Sequence, residues 1–158
     1  MGKLTASGGY VELKFGPQWK YIAICRAFLQ NFLAVSVDDA KKSDTIAMAA
    51  SELLENGVKY ASNDGTVIRV AVTAEEDPKI SVRVTNSATA QQAAELKEIF
   101  RKVMSGDPLQ TYMELMRQAA VREDGKSQLG LARIRYETNA RMHLEVSDNN
   151  EITIGLDV

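Results

Sequence analysis

SELLENGVKYAS, residues Ser51 to Ser62, is the stretch on which the fold turns. Leu53, Leu54, Gly57 and Val58 continue an apolar stripe begun by Ile46, Ala49 and Ala50, recurring at three and four residues as one face of a helix does. At ~100° per residue, Glu52, Asn56 and Lys59 cluster on one flank, a quarter-turn or more from the stripe, with Tyr60 between. The helix starts behind the acids of SVDDAKK, which complement its dipole, and reaches about Tyr60 before the turn-forming cluster SNDG. Packed on a sheet by its stripe, such a helix holds its polar flank at the edge of the layer, beside the adjoining cleft.

The segments on either side supply that sheet. GGYVELKF reads as a strand, and Pro17 suits the first turn of a helix from about Gln18 to Val35. After the central helix, TVIRVAVTAEEDPKISVRVTNSA gives two alternating strands around EEDPK, a hairpin signal. AQQAAELKEIFRKVMSG reads as a helix ended by Gly106, and DPLQTYMELMRQAAVRED as a second, opened by Asp107 and Pro108. A short helix from Leu129 follows, then the strands RMHLEVSD and EITIGLDV joined at Asn149-Asn150. Strands and helices are segregated rather than alternating. The expected class is therefore α+β, a two-layer α/β sandwich with a mixed, mostly antiparallel sheet and helices on one face.

A chain of 158 residues is the size of one domain, taken as 1–158 without a linker or repeat. A net charge of -2, with basic residues scattered among acids, argues against a nucleic-acid binder. No apolar run approaches the ~20 residues that span a bilayer, no signal-peptide pattern opens the chain, and Ala6 stands where a myristoylation sequence needs a hydroxyl. A cytoplasmic location is the expectation. Cys25, in the apolar run YIAICRAFL, reads as a small buried hydrophobe. His143 lies on a strand, and one His with one Cys does not make a zinc site.

The polar flank of the central helix carries two readings. An Asn amide oxygen is a hard ligand suited to a Mg²⁺ that keeps most of its waters. A carboxylate one turn away can accept a hydroxyl proton, and a Lys at the same edge can pair with phosphate oxygens. Equally, Glu, Asn and Lys are what a solvated flank contains, with Glu55 and Lys59 an i,i+4 pair.

ELLENGVKYA closely resembles the Asn box of the GHKL ATPase and kinase superfamily, which includes histidine-kinase catalytic domains and anti-sigma-factor kinases. The order of elements agrees over nearly the whole chain, implying the Bergerat-type sandwich. The resemblance implies Mg²⁺ coordination by Asn56, a general base in Glu52, and nucleotide contacts from Lys59 and Tyr60. Where the family has a strand entering Asp-x-Gly-x-Gly, this chain has VRVTNSATA, with Asn86 at the adenine-binding Asp and Ala88 and Ala90 at the glycines. Neutral Asn accepts through its carbonyl but lacks the charge-assisted bond of a carboxylate. GKSQLGLARIRYE stands at the second glycine segment, with Gln128 in place of its middle glycine. Gly125, Lys126, Ser127, Leu129 and Gly130 are then the implied phosphate cradle, at a helix start that offers free N–H groups.

In place of a mobile ATP lid there are two helices, a layout similar to the SiaB-type regulatory kinases of bacteria. That similarity implies ATP and Mg²⁺ as ligands and a small protein partner, phosphorylated or sequestered in a partner-switching system. By analogy it extends to a homodimer formed through the N-terminal strand and helix. Asn86, Ala88, Ala90 and Gln128 leave a second reading open: a non-catalytic scaffold of this fold that has lost its nucleotide and acts by protein association. In that case Met104, Tyr112, Met113 and Met116 would serve the association rather than core packing.

Overall fold

The computed structural model describes residues 8–16, 18–61, 65–121 and 129–158. Its central helix, α2 (Ala40–Lys59), follows β1 (Gly9–Phe15), a short 3-10 turn (Trp19–Tyr21) and α1 (Ile22–Ser36). Asp39, one of the two acids expected at this helix start, caps α2, its carboxylate accepting the Lys42 N–H at 3.1 Å. Ile46, Ala49, Ala50, Leu53, Leu54 and Gly57 are all buried, as their spacing predicted, and Val58 at the edge of the stripe is half-buried against the core.

The hairpin of β2 (Thr66–Val72) and β3 (Ile80–Ser87) comes next, then α3 (Ala90–Val103), α4 (Pro108–Val121) and α5 (Leu129–Thr138). The hairpin of β4 (Arg141–Val146) and β5 (Glu151–Asp157) closes the chain. Asn150 takes a positive φ of 59°, and the Ser147 hydroxyl accepts the Glu151 N–H at 3.0 Å across the turn. The five strands lie in the order β1-β2-β3-β5-β4.

Among the described residues every pairing in the sheet is antiparallel, so the mixed, mostly antiparallel sheet that was expected is antiparallel throughout them. The cause is the last hairpin, which inserts its second strand between β3 and β4. The apolar content explains that choice. Ile152, Ile154 and Leu156 of β5 are all buried, whereas β4 contributes one buried side chain, Met142, and takes the edge.

One face of the sheet meets the helices through Ile68, Val70 and Val72 of β2, Ile80, Val82 and Val84 of β3, and the three β5 residues. The other face is polar. Arg69 pairs with Glu12 at 2.8 Å, Arg83 with Asp157 at 3.0 Å, and Thr85 bonds Thr153 at 2.9 Å. A half-solvated antiparallel sheet carries such a pattern. Cys25 is buried in α1 and its thiol is pushed up by desolvation, in keeping with a packing role. No described helix is long and apolar enough to cross a membrane.

Candidate functional site

The polar flank of α2 lies against the start of α5. Glu52 retains 21% side-chain exposure, and its Oε1 stands 3.6 Å from Arg133 Nη1. A Cβ added at Gly130 would sit 2.5 Å from Glu52 Oε2, so the carboxylate rests on the first turn of α5 and would have to swing aside for any larger residue there.

Burial raises the Glu52 carboxyl above the usual range, and the neighbouring Glu55 charge adds to it; Arg133 and Arg26 pull the other way. A raised carboxylate is a better proton acceptor than an exposed one. It also has a stability consequence. The folded state holds this proton more tightly than the unfolded chain does, so ionised Glu52 costs stability once pH passes the ordinary carboxylate range. The cost is complete above the raised folded value and absent in acid. Glu52→Gln is therefore expected to raise the thermal midpoint by about 2 °C at neutral pH and to lose that advantage below about pH 4. Thermal melts at both pH values test this, and an equal or lower neutral midpoint for the Gln variant would show that pairing to Arg133 outweighs burial.

Asn56, one turn on from Glu52, is half-buried, and its carbonyl accepts the Tyr60 N–H at 3.0 Å to close the helix. Lys59 is half-buried, its Nζ 5.7 Å from the centre of the Tyr60 ring. Tyr60 itself is buried in the core, at the C-cap of α2. Leu129 opens α5 and is half-buried. Gly125, Lys126 and Ser127 lie outside the described residues, as does Gln128.

Asn86 points into the molecule from β3, at 5% exposure. Its Nδ2 donates to the Tyr60 carbonyl at 3.2 Å and to the Ser87 carbonyl at 3.3 Å. Both partners are acceptors, so only the amide nitrogen can face them, and the side-chain orientation follows. Asn86 thus ties the end of α2 to the end of β3. The amide oxygen remains as the acceptor, 3.8 Å from the Cβ position of Gly57. Gly57 in turn seats α2 on the sheet: a Cβ there would meet Val84 Cγ1 at 3.1 Å and Thr66 Cγ2 at 3.2 Å.

Beyond Asn86 the chain is committed to structure. The Ala88 N–H donates to the Asn150 carbonyl at 3.0 Å, and Thr89 and Gln92 form a reciprocal capping box that opens α3. Of the association candidates, Met104 and Tyr112 are half-buried, and Tyr112 stacks on Tyr136 at 5.8 Å. Met113 and Met116 are 52% and 40% exposed, so core packing does not account for those two. His143 sits on β4 opposite Gly155, away from α2.

The donor set fits Mg²⁺ in one particular way. Among the described residues no group of three or more His, Cys, Asp or Glu could hold a metal ion. A Mg²⁺ beside Asn56 would draw its remaining ligands from water and phosphate, which is how this ion is commonly held. The sequence reading missed Arg133, although Gly130, Arg133 and Glu137 at i, i+3 and i+7 are a legible helix face.

No protein-family model matches the chain, and neither does any curated protein sequence. Solved structures do match. A chain in the crystal structure of the SiaB–SiaC complex from Pseudomonas aeruginosa superposes with a TM-score of 0.65 at 16% identity. The match covers 94% of this chain and 88% of that one. The fold is shared. Its layout is the one that the SiaB-type resemblance implied, helical pair included.

Proposed function

We propose that this chain is a regulatory protein with a histidine-kinase-like ATPase fold that binds Mg-ATP beside the polar flank of α2 and the start of α5. It would act on a small partner protein in bacterial partner switching, by phosphorylating or sequestering it. The observation that supports this reading is Glu52, one turn before Asn56 on α2, resting against Gly130 in the first turn of α5. Asn56 would ligate Mg²⁺, Glu52 would accept the hydroxyl proton of the phosphoacceptor, and the N-terminus of α5 would receive phosphate. Bound Mg²⁺ would supply charge neutralisation of the phosphates. A similar fold in a structure described as a complex of two proteins supports a partner protein here. The test is calorimetric titration of Mg-ATP into wild type and Asn56→Ala: binding that the Ala variant weakens at least tenfold is expected, and equal binding by both would sink the assigned metal ligand.

A second reading has its own observation. The segment that the family uses for adenine is here spent on the Asn150 contact and the Thr89 capping box, which favours a scaffold without nucleotide. Absence of Mg-ATP binding at millimolar concentration would select it.

We also infer that the chain pairs with a second copy through the β1–α1 edge. Trp19, Ile24, Phe28 and Val35 expose large apolar side chains on the turn and helix that follow β1, and β1 is an edge strand. Light scattering behind a sizing column is expected to give a dimer mass that Phe28→Glu halves; a monomer mass at about 100 μM wild type would refute the pairing.

A further inference from the structure

Glu52 faces charges from three helices: Arg26 on α1, Glu55 on α2, and Arg133 and Glu137 on α5. Arg133 is the cation with a geometry on it. Its Nε donates to Glu137 Oε1 at 3.2 Å, one turn farther along α5, while Nη1 faces Glu52 Oε1 at 3.6 Å. One guanidinium therefore bridges two carboxylates, and its positive charge is what both share. Gly130 precedes Arg133 on the same helix face, and the other Glu52 oxygen rests on it. Without a cation at that place, burial and the like charge of Glu55 would drive a flexible carboxylate outward to water.

We propose that Arg133 is the positioning residue for Glu52: tethered by Glu137, it holds the Glu52 carboxylate against the first turn of α5 at Gly130. The role gains its functional meaning from the reading of Glu52 as the base, but the contact exists without nucleotide and is measured without it. In a two-dimensional amide spectrum of the nucleotide-free protein, the Gly130 resonance reports whether the carboxylate is seated. Glu52→Gln is expected to displace that resonance in the wild-type background and to displace it little or not at all in an Arg133→Gln background. An Arg133→Lys background, which keeps the cation, is expected to recover most of the displacement. The same spectra show whether each variant is folded. Equal displacement in all backgrounds would overturn the proposal, as would a Lys background that behaves like the Gln one. Neither result depends on Mg-ATP binding, so the two readings fail separately.

Discussion

Asn86→Asp is expected to destabilise the protein by about 3 kcal/mol, although it restores the residue type of the resembled family. The substitution removes both hydrogen bonds from Nδ2 to the Tyr60 and Ser87 carbonyls. It also sets a buried carboxylate against two carbonyl oxygens, where desolvation and repulsion act in the same direction. The sign of the pH dependence follows. Such a carboxyl titrates above its unfolded value, so the penalty is full at neutral pH and shrinks in acid, where the protonated group donates one bond. Thermal or urea melts at pH 7.5 and about pH 4.5 measure both effects. A midpoint at neutral pH within about 1 °C of wild type would contradict the account of Asn86 as a tie between α2 and β3.

Gly57→Val is the second large effect, again about 3 kcal/mol. The Cβ alone meets Val84 Cγ1 at 3.1 Å and Thr66 Cγ2 at 3.2 Å, and valine directs two further carbons into the same seam. Thr66 and Val84 are both buried in the sheet layer, so α2 has to lift. Gly57→Ala separates helix propensity from packing. Alanine gains about 1 kcal/mol of propensity, set against a squeeze of a few tenths of an ångström, and the net is expected within about 1 kcal/mol of zero. Valine behaving like alanine in urea melts would show that the seam yields. Because Asn56 immediately precedes Gly57, lifting α2 also moves the proposed metal ligand. Gly57→Val is therefore expected to weaken the proposed Mg-ATP binding, although position 57 faces the sheet.

The fold was largely legible because its elements carry strong periods. The stripe from Ile46 to Gly57 fixes the face of α2, and the alternation in β2 and β3 fixes which residues look inward. The place of β5 between β3 and β4 was not legible, since it depends on which hairpin strand has more apolar surface to bury against the helices. Within the site, spacing alone grouped Glu52, Asn56 and Lys59 on one flank. It did not show that Tyr60 closes the helix inside the core. Asn86 shares its parity with Val82 and Val84, so the period of two already placed it inward; its carbonyl partners belong to α2 and to β3 itself and require the tertiary structure. Arg133 was overlooked for a related reason: its meaning lies in Glu52, distant in sequence.

The most direct test of the central claim is titration of Mg-ATP into the wild-type protein by calorimetry, with and without Mg²⁺. Saturable, Mg²⁺-dependent binding at one site per chain, below millimolar nucleotide, is expected. No heat of binding at millimolar Mg-ATP, from protein shown to be folded, would contradict it and leave a scaffold.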